Sequence, residues 1–222
     1  HNTAIGYFAG ASLTTGQQNT AVGSVTLATA TTAGYNTAVG YKCLQVSTTG
    51  EHNTALGNSA LRLNTEGDQN TAVGVNALYA NTTAGQNTAV GYGALTANTT
   101  GGYNTACGTG ALDANTTASN CSAFGGVALS ANTTGVDNNA FGVNALAVCT
   151  TGYRNQAFGV GALIACTVGF ENNAFGYYAL GALTEGDYNC AVGHGTLDAC
   201  TTGNGNVFMG YHAGTAITTG DE

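Results

Sequence analysis

A repeat of 17 residues accounts for almost the whole chain. From Asn2 onward, the 222 residues divide into thirteen consecutive units without insertion or deletion, and only His1 is left over. The consensus is N-T-A-V-G-Y-x-A-L-x-A-N-T-T-G-x-x, and we number its positions 1 to 17. Position 5 is glycine and position 13 is threonine in all thirteen units. Asparagine holds position 1 in twelve units, alanine holds position 3 in twelve, and leucine holds position 9 in eleven. A fixed period of this kind is typical of architectures in which identical units stack.

The length and chemistry of the unit predict an all-β parallel β-solenoid. Seventeen residues are too few for a helical repeat or a propeller blade. Glycine at position 5, glycine or alanine at position 15, and abundant threonine and asparagine all disfavour helix. We expect two short strands per unit, at positions 2–4 and 8–12, with glycine at the corners. One domain over residues 1–222 then has thirteen coils, stacked roughly 4.8 Å apart into a rod of roughly 60 Å.

Alternation along each strand predicts which side chains face inward. Leucine at position 9 and alanine or valine at position 11 share one face of the second strand, which we expect to be the inner one. Position 4 is apolar in every unit, so it is also expected to point inward. Position 3 would then point outward, although it is almost always alanine. A small, nearly invariant outward column predicts contact with another chain. The alternative is that a flat roll merely crowds this corner.

Several columns are expected to act as structural ladders along the stack. Asparagine at position 1 and threonine at position 13 can pass side-chain hydrogen bonds from coil to coil. Asp137, Arg154 and Glu171 occupy position 17 of three successive coils and form a column of alternating charge. The residues chosen to represent the structural ladders are Gly6, Gly23, Gly40, Gly91, Thr14, Thr99, Asn19, Asn87, Leu95 and Ala89.

Composition argues against several classes of partner. Three cations, Lys42, Arg62 and Arg154, stand against eleven acids, so we expect no binding of nucleic acid. Glycine does not recur every third residue, which excludes collagen. No apolar run reaches 18 residues, so we expect no insertion into a membrane. The sequence shows no initiator methionine, signal peptide or lipidation motif, which suggests an excerpt from a longer, processed or polymerised chain.

Residues able to bind metals are present but not in a metal-binding pattern. The seven cysteines include no CxxC pair, so neither a zinc knuckle nor a full disulfide framework is expected. Cys149 and Cys166 share position 12 of adjacent coils, which leaves open either a disulfide or two small buried fillers. The four histidines fall on different columns and are expected to be isolated at the surface. The acidic segments 65–68 and 184–187 are expected to be turns, with calcium binding as the alternative. We therefore expect no metal and no cofactor.

The sequence lacks the insertions that a catalytic cleft needs, and it contains formal glycosylation motifs. Enzymes built on solenoids form their clefts from long insertions between coils, and this chain has none, so we expect no catalytic residues and no enzyme. Asn-Thr-Thr occurs at positions 12–14 of four consecutive coils, which makes four asparagines formal glycosylation acceptors. These are Asn81, Asn98, Asn115 and Asn132.

The repeat resembles known surface proteins. The segments NTAVGYGALTANTTGGY (residues 87–103) and NTAVGVNALYANTTAGQ (residues 70–86) resemble the repeats of YadA-like trimeric autotransporter adhesin heads. They are still more similar to repeats of bacterial and phage tail-fibre-type proteins. The resemblance implies a left-handed parallel β-roll, three chains side by side, and exposure on a cell or virion surface. The unit here is a few residues longer than the adhesin unit, and no ligand-binding residue carries over.

Three functions remain open at this stage. The first is a structural fibre element, a shaft or filament subunit that associates with itself side by side or end to end. It is favoured because neither end carries a recognisable polar cap. The second is an adhesive head that binds a host glycan or matrix protein. The third is ice binding by regular threonine columns, which we rank lowest because the adjacent threonines at positions 13 and 14 point in different directions.

Overall fold

The chain folds as an all-β parallel β-solenoid, seen here in a computed structural model that describes residues 1–221. The coils group into two compact units, His1–Gly110 and Ala111–Glu222. Each coil contributes one strand of three residues, at positions 2–4. The first unit contains β1 Thr3–Ile5, β2 Thr20–Val22, β3 Thr37–Val39, β4 Thr54–Leu56, β5 Thr71–Val73, β6 Thr88–Val90 and β7 Thr105–Cys107. The second contains β8 Ser122–Phe124, β9 Asn139–Phe141, β10 Gln156–Phe158, β11 Asn173–Phe175, β12 Cys190–Val192 and β13 Val207–Met209.

Within each unit, every strand pairs in parallel with the strand one repeat away. The register joins equivalent positions, as in Ala55 opposite Ala72 and Ala157 opposite Ala174. This register places identical side chains directly above one another, so each column of the repeat becomes a physical ladder. The predicted solenoid class and the 17-residue spacing of the strands are thereby confirmed.

The prediction of a second strand at positions 8–12 is wrong. Positions 6–11 form consecutive turns, and residues at positions 7 and 9 have left-handed backbone conformations, such as φ of 53° at Leu95. The coils remain linked there by backbone hydrogen bonds, including the 3.0 Å bond from Leu61 N–H to the carbonyl of Ala77. Because strand alternation does not apply to such turns, adjacent positions 8 and 9 both face inward. Position 11 instead lies at the surface or is half-buried.

The orientation predicted for β1–β13 is also wrong, because it is reversed. Alanine at position 3 points inward and the apolar residue at position 4 points outward. Ala89 is fully buried whereas its neighbour Val90 is 37% exposed, and the same contrast holds at Ala55 and Leu56. The argument that an outward alanine column forms an interface therefore fails.

Alanine is required at position 3 because the leucine at position 9 of the same coil fills the space opposite. In the first coil, a Cβ built on Gly10 at position 9 lies 3.6 Å from the Cβ of Ala4. In the last coil the sizes are exchanged, since Phe208 holds position 3 and Gly214 holds position 9. A Cβ on Gly214 would lie 3.0 Å from the Phe208 ring. Alanine is thus small because it faces a narrow, filled lumen.

Candidate functional site

A ladder of buried asparagine amides runs along each unit at position 1. The amide of Asn172 donates to the carbonyl of Gly186 at 2.8 Å, and its oxygen accepts the backbone N–H of Asn189 at 3.0 Å. Asn172 also bonds to Asn155 in the preceding coil through both its backbone and its side chain. Asn19 and Asn87 make equivalent bonds in the first unit. Each amide therefore ties together three successive coils at the corner before the strand.

Position 12 carries a second amide ladder, and it contains the four formal glycosylation acceptors. Asn81, Asn98, Asn115 and Asn132 are all completely buried. Each side-chain nitrogen donates to the carbonyl at position 15 of its own coil, as Asn98 does to Gly101 at 2.9 Å. These nitrogens are enclosed in the folded chain, so the four formal glycosylation acceptors are structural amides there. The buried oxygen of Asn132 has no hydrogen-bond partner, because the next coil supplies Cys149 in place of another amide.

The threonine and glycine columns have different structural roles. Hydroxyls at position 13 donate to the backbone carbonyl of the next threonine, as Thr14 does to Thr31 and Thr82 does to Thr99, both at 3.1 Å. Glycines at position 5 have φ between 125° and 147°, a region that side chains rarely adopt. A Cβ on Gly91 would lie 2.6 Å from the carbonyl oxygen of Gly108. The same backbone contact with the next coil's glycine occurs at Gly6, Gly23 and Gly40. Leu95 and Ala89 lie in the core.

The outer face of the strands carries no charge. Position 2 is threonine in all seven coils of the first unit and serine, asparagine, glutamine, cysteine or valine in the second. Position 4 adds an exposed apolar column, in which Leu56 is 47% exposed and Phe175 is 39% exposed. Position 6 continues the apolar surface with tyrosines and valines in most coils. We call positions 2, 4 and 6 the outer sheet face.

Four phenylalanines form a continuous stack on the outer sheet face of the second unit. Successive rings of Phe124, Phe141, Phe158 and Phe175 have centroids 4.7 to 4.9 Å apart and planes within 9° of parallel. The prediction that position 4 faces the core is therefore wrong for the phenylalanines too, since Phe124 and Phe175 are exposed. Each inner ring is covered on both faces by its neighbours, which leaves ring edges for solvent or a partner.

All seven cysteines are thiols, and five of them are buried. Cys149 and Cys166 form no disulfide, and both side chains lie in the interior. The pKa of Cys149 is raised by its contact with the Cys166 thiol and by burial. Burial raises the pKa of Cys121 to about 11. Their role is therefore that of small core fillers, with Cys121 replacing asparagine at position 1 and donating to the carbonyl of Gly135 at 3.3 Å.

Charged and titratable side chains are sparse and mostly at the surface. Arg154 contacts Glu171 at 3.0 Å and Asp137 at 3.9 Å, as the alternating column predicts. The expectation that the histidines are isolated from one another is wrong for His194 and His212. They fall on neighbouring coils, and their rings are 5.1 Å apart, because positions 6 and 7 are adjacent at the corner. Within residues 1–221, no group of three or more His, Cys, Asp or Glu side chains is placed to hold a metal ion.

Comparison with known proteins adds no assignment. No protein-family model matches the chain, and no curated protein or solved structure shows significant similarity to it. Over residues 1–221, no helix is long and apolar enough to cross a membrane. Functional inference therefore rests on the ladders, the outer sheet face and the surface chemistry described above.

Proposed function

We propose that this chain is a non-enzymatic structural fibre element whose solenoid associates side by side with further copies of itself. The observation that carries the proposal is the outer sheet face, which carries no lysine, arginine, aspartate or glutamate in either unit and has an apolar column at position 4. The rest of the chain carries a formal net charge of −8. Two copies therefore meet with the least electrostatic repulsion on this face. The coil-to-coil spacing is the same on every copy, so the ridges of side chains on two such faces have the same period.

Internal construction supports a mechanical role. The amide ladders at positions 1 and 12 and the hydroxyl ladder at position 13 all bond along the stacking direction. Pulling coils apart would expose buried amides and carbonyls together, and each unpaired polar group costs about 1–3 kcal/mol. Such a cross-section resists local opening, which suits a shaft that must transmit force and resist proteases.

The width of the outer sheet face makes association dependent on length. Positions 2 to 6 span about 13 Å and coils are about 4.8 Å apart, so each coil adds roughly 60 Å². A stable interface buries about 800 Å² per partner, which is more than the six or seven coils of one unit supply at this rate. We therefore infer that association strengthens with the number of coils, as expected for a fibre. The resemblance to trimeric adhesin heads and tail fibres favours three chains, and exposure on a cell or virion surface follows from the same resemblance.

Solution mass tests the proposal directly. Light scattering on a sizing column should give a multiple of 21.9 kDa, with three chains as the expected count. A Val39→Glu, Val73→Glu double variant places carboxylates on the outer face and should reduce the mass to 21.9 kDa. Ala28→Glu is the matched control, because position 10 carries aspartate in other coils, and it should leave the assembly intact. A monomeric wild-type chain, or a double variant that assembles normally, would refute side-by-side association. Long filaments in electron micrographs of the double variant would indicate end-to-end assembly instead.

A second candidate function is ice binding, and one observation favours it. Position 2 of the first unit is an outward ladder of seven threonines, in register along β1–β7 and beside the apolar position 4. Unlike the adjacent threonines at positions 13 and 14, the threonines of this column share one orientation. Thermal hysteresis at micromolar concentrations would support this role. Thr54→Tyr should then abolish the hysteresis, and Thr100→Tyr at position 14 should not. The absence of hysteresis in the wild-type chain would eliminate this candidate.

A further inference from the structure

A groove in the second unit interrupts the regular surface of the repeat. Its volume is about 500 Å³, within the range of small-molecule sites. Its lining comes from positions 6, 7, 10 and 11 of three successive coils. The principal lining residues are Tyr177, Tyr178, His194, Gly195, Asp198 and His212. Aromatic rings, imidazoles and one carboxylate thus converge on a single depression.

An alternation of small and large residues at position 7 creates this groove. The residues are Gly161, Tyr178, Gly195 and His212 in four successive coils. A Cβ on Gly195 would lie 2.6 Å from the His212 ring, and one on Gly161 would lie 2.9 Å from the Tyr178 ring. Each ring therefore lies back over the glycine of the preceding coil. Because Tyr178 leans away from Gly195, the space between the two rings remains open.

Stacking fixes the polar groups around the opening. The ring of His194 lies 5.0 Å from that of Tyr177 and within 22° of parallel to it. Tyr177 in turn packs against Tyr178 with centroids 4.6 Å apart. Asp198 places a carboxylate oxygen 3.8 Å from Nδ1 of His212, and its side chain is 36% exposed. Among residues 1–221, the partner found for this carboxylate is the distant imidazole of His212, so the carboxylate retains acceptor capacity for a ligand.

We propose that this groove binds a neutral sugar residue. The aromatic rings offer apolar surface to the C–H groups of a pyranose, while Asp198 accepts hydrogen bonds from its hydroxyls. The imidazoles and tyrosine hydroxyls can both donate and accept, which matches the alternating donors and acceptors of a sugar. Acidic sugars are excluded by charge, since Arg154 is the only lysine or arginine from residue 111 onward and it contacts Glu171. This site meets the outer sheet face only at position 6, through Tyr177 and His194, and its other lining residues lie at positions 7, 10 and 11. The proposal does not depend on the proposed fibre function.

Saturation-transfer NMR on the full chain tests the groove. The probes are the methyl glycosides of glucose, galactose, mannose and N-acetylglucosamine, with sialic acid as the anionic comparison. We expect at least one neutral glycoside to bind in the millimolar range, typical of a single sugar in an open site, and sialic acid to give no signal. Asp198→Asn should weaken binding about tenfold, because it removes a charged acceptor while preserving shape.

Asp113→Asn supplies the matched control. Asp113 occupies the same position 10 in the same unit but lies outside the groove lining, so its variant should bind like the wild type. His212→Ala removes one wall and should also weaken binding. Absence of binding by all four neutral glycosides would overturn the proposal, as would equal binding by the Asp198 and Asp113 variants. Solution mass is measured on the same samples, so failure of sugar binding is distinguishable from failure of self-association.

Discussion

Removal of one amide from the position-1 ladder should destabilise the solenoid far more than removal of the amide beside it. Asn172 is completely buried, and Asn173 is the outward-facing residue of β11 that follows it. Asn172→Ala takes a donor from the carbonyl of Gly186 and an acceptor from the backbone N–H of Asn189. Asn173→Ala shortens a half-exposed side chain for which water can substitute. The two variants have the same composition and differ only in the face affected.

The structure gives the expected magnitude. Each buried backbone group that loses its partner costs about 1–3 kcal/mol, so Asn172→Ala should lower the free energy of unfolding by about 2–6 kcal/mol. Asn173→Ala should change it by less than about 0.5 kcal/mol. Asn172→Cys should fall between them, because the native Cys121 thiol at position 1 donates to the carbonyl of Gly135. The loss of unfolding free energy relative to the native Asn172 is therefore expected to be larger for alanine than for cysteine.

Guanidinium denaturation followed by circular dichroism measures the series. The midpoint should fall for Asn172→Ala, by less for Asn172→Cys, and remain unchanged for Asn173→Ala. Comparable m-values would show that the same surface is exposed in each case. A loss below about 1 kcal/mol for Asn172→Ala would refute the argument, because the ladder would then be contributing less than a single buried hydrogen bond.

Three other perturbations probe separate features of the coil. Gly57→Ala places a Cβ 2.6 Å from the carbonyl oxygen of Gly74 at φ of 132°, so it should cost more than about 3 kcal/mol or prevent folding, as measured by thermal denaturation. Val127→Asn should raise the free energy of unfolding by about 0.5–1 kcal/mol in the same assay. The reason is that Val127 is exposed with φ of 56°, a conformation that asparagine tolerates better than valine. A lower free energy of unfolding for this variant would contradict the reasoning. Iodoacetamide at pH 8 should label the exposed Cys107 and leave Cys121 intact, as read by mass spectrometry. Rapid labelling of Cys121 at pH 8 would contradict its burial. Because folding raises the pKa of Cys121 from 9.0 to about 11, the contribution of its neutral thiol to stability is complete below pH 9 and is lost as pH rises through 11.

The features that depend on spacing could be predicted from the sequence. Thirteen units without insertion fix the coil length, and glycine at position 5 fixes one corner, because only glycine accepts both the backbone angle and the contact with the next coil. The strands at positions 2–4 follow from that corner and from the β-branched residues beside it. The sugar groove could not be anticipated, since it requires Tyr178 and His212 to lean over glycines of the preceding coil. The sequence does contain the signal, as the alternation of glycine with large residues at position 7.

Which face points inward was decided only by tertiary structure. A strand of three residues has two possible orientations, and its own alternation cannot distinguish them. The choice is made across the coil, where position 9 lies opposite position 3, as Gly214 lies opposite Phe208. Leu95 and Ala89 are accordingly both buried, whereas Val90 is exposed. In the sequence, this dependence of position 3 on position 9 is visible in the last coil, where the large Phe208 holds position 3 and the small Gly214 holds position 9. Repetition thus determined the architecture, whereas packing across a narrow lumen determined which columns meet solvent, because volume is shared between residues that are distant along the coil.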